Sequence, residues 1–237
     1  MIRFFAAILV GCLGVVSTAS AEEARRYLGQ GLLLTNDSFG DFKDRWRTGS
    51  IQASHVWGPT WSGQMPQRFG QLIELRWGGQ VMAPASLSAP NPTDRPYAGA
   101  LFAGLHTHFR RGAADMSLGT DLVMTGPQTG LDDLQQSLHD LLGVAGPSPG
   151  VRANQIDDGL HPTLVFEIGR DISLGSSATL HPFVEGRWGD ETLVRAGADL
   201  VFGQVGQGAL MVRDMVSGHR YRAVQPSFRG GGAGAWG

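Results

Sequence analysis

Hydrophobic and polar residues alternate along several stretches of the chain, with the period of two that is typical of β-strands. In residues 115–124 one face carries Met116, Leu118, Leu122 and Met124, with Thr120 between them, and the other carries Asp115, Ser117, Gly119 and Asp121. The segments 72–77, 163–169 and 193–202 repeat this pattern. The alternation predicts strands over 26–36, 47–57, 69–80, 97–109, 114–125, 160–170, 177–188 and 191–203, with a further strand over 208–224.

This pattern suits two architectures, a β-sandwich and a β-barrel. In a membrane barrel the apolar face contacts lipid and the polar face lines the lumen. Charged residues recur along the predicted polar faces, at Glu74, Arg76, Asp121, Glu167 and Arg195. Aromatic residues near strand ends suit the interfacial girdles of such a barrel, namely Trp57, Trp77, Tyr97 and Trp188. We therefore expect an all-β fold, an antiparallel transmembrane β-barrel of the outer-membrane type, in preference to a sandwich.

One segment, residues 130–143, departs from the alternation. Its leucines recur at helical spacing, at Leu131, Leu134, Leu138, Leu141 and Leu142. Thr129 is the predicted N-cap and Gly143 the predicted end of the helix. His139 lies at the edge of the leucine stripe. A short helix inserted in a strand-rich chain indicates a functional insertion.

The N-terminus has the features of a secretory signal. Arg3 supplies positive charge, residues 4–16 form a short apolar core, and Ala-Ser-Ala at 19–21 gives a small-x-small cleavage site. A lipoprotein signal at Cys12 is the alternative, although very little apolar core precedes that cysteine. The expected organisation is a signal peptide over 1–21, a β-barrel domain over 22–228 and a Gly-rich tail over 229–237.

Composition narrows the class of function. The formal net charge is −2, which gives no indication of nucleic-acid binding. Cys12 is the only cysteine, so a mature chain cleaved after Ala21 cannot contain a disulfide. No HExxH, paired CxxC or P-loop motif occurs. The residues alone predict an exported β-barrel whose activity is unassigned.

Polar residues that suit catalysis lie at predicted strand ends and on the helix. They are Asn36, Asp37, Thr48, Asp94, Arg95, Gln136 and His139. Each also has a structural interpretation: Asn-Asp at a strand end is commonly a turn, and a histidine beside an apolar helix face is commonly structural. Other candidate histidines, some of which the alternation places in the lumen, are His55, His106, His108, His161 and His181.

The order of these motifs resembles the outer-membrane lipid A 3′-O-deacylase family, from about residue 26 to 205. The matching pieces are Asn36-Asp37-x-Phe39, Asp44-Arg45-Trp46-x-Thr48, Asp94-Arg95-Pro96-Tyr97-Ala98-Gly99, Gly126-Pro127, Gln136-x-x-His139, Gln155 and Gly189-Asp190. The resemblance implies an outer-membrane barrel that removes the 3′-linked acyloxyacyl chain of lipid A with calcium. Lipid A, lipopolysaccharide and other outer-membrane lipids are then the expected partners, and a monomer the expected state.

The resemblance also implies a role for individual residues. His139 is the expected general base, Asp37 the expected Ca²⁺ ligand, and Asn36 and Thr48 the groups that position or stabilise the oxyanion. The chemistry is coherent, because ester hydrolysis builds negative charge that a cation and preset donors stabilise. Calcium binds carboxylate and carbonyl oxygens. Gln136, Asp94 and Arg95 are further candidates for substrate contact or structural support.

The sequence departs from the family pattern in three places. Ala145 stands where the family has a glutamate six residues after the histidine, and Asp140, Asp157 and Asp158 are candidates to replace that carboxylate. Basic residues that contact substrate phosphates in some members have no counterpart between Val81 and Thr93. Strands beyond about residue 225 are missing, which suggests a C-terminally shortened member. Two alternatives therefore stay open: a degenerate non-catalytic barrel, and a phospholipase-like esterase.

Overall fold

The computed structural model describes residues 24–37 and 46–225. In these residues nine strands form one antiparallel sheet and two more form a separate hairpin. The sheet comprises β1 (Arg26–Asn36), β2 (Trp46–Gly58), β3 (Leu72–Ala83), β4 (Ala98–Arg111), β5 (Ala114–Thr125), β6 (Gly159–Gly169), β7 (Ile172–Ser173), β8 (Ala178–Trp188) and β9 (Leu193–Phe202). The hairpin comprises β10 (Leu210–Arg213) and β11 (Arg220–Val224). The predicted signal peptide and Gly-rich tail lie outside the described residues.

The large sheet is an up-and-down meander. Its strands pair in chain order from β1 to β6, after which β8 pairs with β6, β7 and β9. β1 and β9 are its two ends, and the described part of the chain contains no ladder that joins them. The right-handed twist of neighbouring strands curls such a sheet. The predicted antiparallel, outer-membrane type of fold is confirmed, in the form of a curled half-barrel.

The two faces of the sheet differ as the alternation predicts. The inner face buries charged groups, including Glu74, Arg76, Asp121, Glu185 and Arg187. The outer face exposes large apolar side chains, including Leu32, Leu34, Trp77, Leu118, Leu164, Val194 and Leu200. This arrangement is the inverse of a soluble sandwich and is the arrangement that a lipid surround favours.

The β10–β11 hairpin packs against the inner face near β1 and β2. Its apolar residues form a buried cluster with Val56, Trp61 and Leu72. Gly31 of β1 allows this packing, because a Cβ there would lie 2.3 Å from the carbonyl oxygen of Arg222. Arg213 crosses the interior, with its guanidinium 2.9 Å from Asp199 Oδ2 and stacked over the Phe183 ring. The hairpin therefore fills part of the concave side of the sheet.

The prediction of one strand over 208–224 was wrong, because a turn divides that segment. The Asp214 carboxylate accepts hydrogen bonds from the backbone N–H and the hydroxyl of Ser217. Gly218 then adopts a positive φ of 73°, a conformation that glycine permits at little cost. The two strands pair from Leu210–Val224 to Arg213–Arg220.

The inserted segment contains two helices, α1 (Leu131–Leu142) and α2 (Pro149–Ala153). The predicted helix over 130–143 agrees with α1, and Gly143 ends it in the left-handed conformation. The predicted N-cap Thr129 was wrong: the N-cap is Gly130, because a preceding 3-10 turn, Pro127–Thr129, already engages the Thr129 hydroxyl with Gly126 O. Within the described ranges, no helix combines the length and apolarity needed to cross a membrane.

Candidate functional site

The candidate residues predicted from the sequence all lie at one end of the sheet. Strand register pairs Asn36 with Gly49, Gly49 with Val81, and Val81 with Gly99. The segments that follow β1, β3 and β5 therefore all leave the sheet at this end, which we name the site end. Asn36, Asp37, Thr48, Asp94, Arg95, Gln136 and His139 all belong to these segments or the adjoining strand ends.

Helix α1 packs against the outer wall of the sheet at the site end. A Cβ added to Gly99 would lie 3.1 Å from Leu131, and one added to Gly79 would lie 3.9 Å from it. Gly79 shares its face of β3 with the exposed Trp77, so the contact is on the outer side of the wall. Val151 of α2 joins the same surface in a buried cluster with Ala83 and Tyr97. The two helices thus cover the outer face of β3 and β4.

The buried side of α1 is polar. It carries Asp132, Gln135 and His139, each no more than 7% exposed. Most of the leucines that identify the helix in the sequence are exposed instead. Glycines at 79 and 99 leave room for Leu131, at the start of the helix, to approach the sheet.

His139 is held in a defined orientation. Its Nδ1 atom lies 2.9 Å from the carbonyl oxygen of Ala145. A carbonyl oxygen accepts hydrogen bonds and cannot donate, so Nδ1 carries the proton in this contact and Nε2 presents its lone pair. The structure thereby supplies the tautomer that a general base requires at Nε2.

The contact with Ala145 bears on the missing glutamate. The Ala145 main-chain carbonyl takes the orienting position at the ring of His139. Asp140 accepts a hydrogen bond from Gln136, and Asp158 accepts one from the backbone N–H of Gln128. The carbonyl oxygen of Asp157 accepts from Thr125. The carboxylates of Asp140 and Asp158 thus have other partners, and the group at the ring of His139 is an uncharged main-chain carbonyl.

Gln135, which was not among the residues predicted from the sequence, lies closer to the His139 ring than the predicted Gln136 does. The Tyr97 hydroxyl donates to Gln135 Oε1 at 2.7 Å, which turns the amide nitrogen of Gln135 towards His139 Nε2 at 3.5 Å. Tyr97 is fully buried, so the prediction that it belongs to an interfacial girdle was wrong. The spacing of four residues between Gln135 and His139 was the available signal, since such residues are neighbours on a helix.

A second polar cluster fixes α1 to α2. Arg152 of α2 donates two hydrogen bonds to Asp132 Oδ2, at 3.0 Å and 2.9 Å, and a further one to Asp133. Gln155 donates to the same Asp132 oxygen at 3.2 Å. Burial alone favours the neutral carboxyl, but these donors outweigh it and hold the pKa of Asp132 below its usual range. The cluster is a structural clamp for the helix that carries His139.

Asn36 and Asp37 lie at the start of the β1–β2 connection, and Thr48 lies near the start of β2. Asn36 pairs with Gly49 across the ladder, and Thr48 is buried one residue earlier in β2. Their amide, carboxylate and hydroxyl oxygens are the hard donors that calcium prefers. The described residues contain no group of three or more His, Cys, Asp or Glu side chains placed to hold a metal. Oxygen donors of this kind are chemically compatible with calcium.

Asp94 and Arg95 form a turn in the β3–β4 connection. The Asp94 carboxylate accepts the backbone N–H groups of Ala85 at 2.6 Å and Arg95 at 2.8 Å. These hydrogen bonds hold the pKa of Asp94 below its usual range, and the one from Ala85 makes the largest contribution. The geometry gives Asp94 a structural role in shaping the loop that leads to Tyr97.

Residues 146–150 read Gly-Pro-Ser-Pro-Gly, a G-x-S-x-G pattern that the sequence analysis passed over. In hydrolases with that pattern, the serine lies on a strained turn between a strand and a helix. Ser148 instead has φ −63° and ψ 159°, and its hydroxyl accepts the N–H of Val151 as the N-cap of α2. This serine caps a short helix, and the pattern carries no nucleophile role.

Three of the other candidate histidines pair with carboxylates. His106 Nε2 lies 2.7 Å from Asp121, His108 Nε2 lies 2.7 Å from Glu74, and His181 Nδ1 lies 2.7 Å from Asp171. All three rings are buried on the inner side of the sheet or at its opposite end. Their partners hold them in structural networks away from the site end.

Comparisons with known proteins agree with this architecture. The sequence profile described as "Outer membrane protein LpxR" matches residues 4–207. Among solved structures, LpxR from Salmonella typhimurium superposes with a TM-score of 0.59 at 16% identity, covering 75% of this chain. The match spans 62% of that structure's own chain. No curated protein sequence matches.

Proposed function

The chain belongs to the LpxR family of outer-membrane proteins, and from this premise we propose that it removes a 3′-acyloxyacyl chain from lipid A by ester hydrolysis. Outer-membrane localisation and the half-barrel fold agree with the family. The substrate, the acyl position and the catalytic residues are parts of the proposal. The sequence identity of 16% to the solved relative supports the fold alone.

The observation that carries the proposal is the environment of His139. The ring is only 7% exposed, and its Nδ1–H is directed to Ala145 O. In the proposal, Nε2 is the atom that accepts the proton. Burying a cluster of polar groups under a helix costs free energy unless each group forms a hydrogen bond or has a functional role. Its location on the lipid-facing side suits a membrane substrate.

The proposed reaction is a water-mediated hydrolysis. His139 Nε2 takes a proton from water as the water oxygen bonds to the ester carbonyl carbon. The negative charge that develops on the carbonyl oxygen is stabilised by donors from Asn36 and Thr48. The protonated histidine then returns the proton to the sugar oxygen as the ester C–O bond breaks, which yields a free fatty acid and an alcohol.

A calcium ion belongs to the proposal through Asp37. When bound, it would add positive charge close to the developing oxyanion. Chelation of calcium with EGTA is expected to abolish or strongly reduce acyl release, and added Ca²⁺ to restore it. Activity that is unchanged after chelation would contradict the role of Asp37 as a metal ligand.

The Ala145 carbonyl explains how the site operates without the family's glutamate. A carbonyl dipole fixes the tautomer of His139, but it stabilises the imidazolium less than a carboxylate does. The proposed enzyme is therefore slower than a member with the glutamate, by up to about 10²–10⁴-fold if the analogy with loss of a triad aspartate holds.

Lipid profiling tests the proposal against the two alternatives. Folded protein in vesicles that contain both lipid A and phospholipid is incubated with Ca²⁺, and the released and remaining lipids are identified by mass spectrometry. Loss of acyl chains from lipid A alone supports the proposal. Release from phospholipid instead supports a phospholipase-like esterase. No release from either lipid supports a non-catalytic barrel.

A further inference from the structure

Four leucines on α1 form an exposed apolar surface, which we name the leucine flank: Leu134, Leu138, Leu141 and Leu142. They are between 48% and 82% exposed. Val144, just beyond the helix, is also exposed. Single exposed apolar residues are ordinary, but a contiguous row of them on one helix marks an interaction surface.

The flank occupies one of three sectors around the helix. The buried sector carries Gln135 and His139, and Gln135 accepts a hydrogen bond from Tyr97, just before β4. A second sector, with Asp133 and Asp140, is polar and exposed. The leucine flank lies between them on the remaining side, as the helical period requires. A helix with an apolar side and a separate polar side can lie in a membrane interface with its apolar side towards the acyl chains.

The leucine flank is continuous with the lipid-facing surface of the sheet. Leu131, at the start of α1, lies against Gly79 on the outer wall. Trp77 lies two residues before Gly79, on the same face of β3, and is 38% exposed. In an outer-membrane barrel this outer face contacts acyl chains. The flank therefore extends the apolar outer surface of the sheet. Because the protein is located in the outer membrane, lipid is the partner of that surface.

We propose that the leucine flank embeds in the acyl layer of the outer leaflet beside β3 and β4, with Asp133 and Asp140 directed towards water. The helix then acts as an interfacial anchor, and its buried sector is held at the depth where lipid acyl esters lie. The anchor depends on outer-membrane localisation and does not depend on the proposed deacylation.

The depth of the flank can be measured with single-cysteine probes. Leu138→Cys on the flank and Ser137→Cys on the polar side are each introduced with Cys12→Ser and labelled with an environment-sensitive fluorophore. The labelled proteins are placed in vesicles whose lipids carry bromine on the acyl chains. Quenching by the brominated chains is expected to be at least about twofold greater at 138 than at 137, and quenching by aqueous iodide greater at 137.

Both substituted side chains are exposed, and heat-modifiable migration on a gel confirms that each labelled protein is folded. The pair Leu134→Cys and Asp133→Cys repeats the comparison if either first variant fails to fold. Equal iodide quenching at both positions would overturn the anchor, because the flank would then face water. Protection at 138 from both quenchers would also overturn it, because protein would then cover the flank.

Discussion

The inner face of the sheet and the site end use histidine in different ways. His106 and His108 are each buried against a carboxylate at 2.7 Å, within networks that also include Arg76 and Arg187. His139 is equally buried, yet its partners are a main-chain carbonyl and a side-chain amide. The first environment pairs the rings with charged groups, and the second pairs the ring with uncharged groups.

This difference shows that burial and a short hydrogen bond do not by themselves identify a catalytic histidine. His108 satisfies the Glu74 carboxylate, which also accepts hydrogen bonds from Ser54 and Arg76. Such a group is a structural element of the interior, because its proton and its partners are already committed. His139 instead contacts uncharged groups, a main-chain carbonyl and the Gln135 amide.

The largest expected effect is on catalysis, and it separates the two environments directly. His139→Asn is expected to reduce acyl release from lipid A by about 10²–10⁴-fold, since a general base contributes about that factor. His219→Asn, an exposed histidine outside both environments, is the matched control and is expected to leave the rate unchanged. Comparable rates for His139→Asn and the wild type would show that His139 is not the base.

The next largest expected effect is on the free energy of unfolding, and it comes from an ion pair on the inner face of the sheet. Glu74→Gln removes the carboxylate that compensates Arg76, whose side chain is 6% exposed. Loss of one partner of a buried ion pair costs about 3–5 kcal/mol in free energy of unfolding. Urea unfolding in lipid vesicles measures it, with the exposed Glu191→Gln as control. An equal unfolding midpoint for Glu74→Gln and Glu191→Gln would mean that the network does not stabilise the barrel.

A third change would make the site more like the family pattern. Ala145→Glu places a carboxylate six residues after His139, at an exposed position with room for it. The rate of acyl release is expected to rise by about tenfold or more, because a carboxylate stabilises the imidazolium better than a carbonyl does. Val144→Glu adds the same charge one residue away and is expected to have little effect. An equal rise in both variants would point to general electrostatics instead of orientation of His139.

The smallest effect is a dependence of α1 stability on pH. The folded pKa of Asp132 is lowered, so its ionised form stabilises the fold above its unfolded pKa of about 3.9. That stabilisation is lost as the pH falls from this value through the lower folded pKa. Hydrogen exchange of residues 131–153 is expected to rise in this acid range in the wild type and to rise less in Asp132→Asn. An identical acid response in both proteins would exclude Asp132 as its source.

The sequence predicted the strands well where one face is polar and the other apolar. The bounds of β1 and β5 agree with their predictions. The predicted start of β3 at residue 69 was too early, since Gly70 adopts a φ of 81° and ends the extended conformation. Local turn chemistry, as at Asp214 and Ser217, sets the boundaries that periodicity does not resolve.

The site was predicted only in part. The sequence placed His139 on a helix, but it did not show that the polar side of that helix is the buried one. The reason is that Gly79 and Gly99 form the surface that receives α1, and they lie far from it in sequence. The role of the Ala145 carbonyl has no sequence signal, because every residue carries a carbonyl. Gln135 had a signal in its spacing, which the family motif with Gln136 obscured.

The central claim is tested most directly by a mass spectrum of lipid A from outer membranes that carry this protein, with Ca²⁺ present. Heat-modifiable migration of the protein on a gel confirms in the same sample that the barrel is folded. The account predicts a lipid A species that has lost the mass of a 3′-acyloxyacyl chain. A spectrum identical to that of membranes without the protein, from a folded barrel, would contradict it.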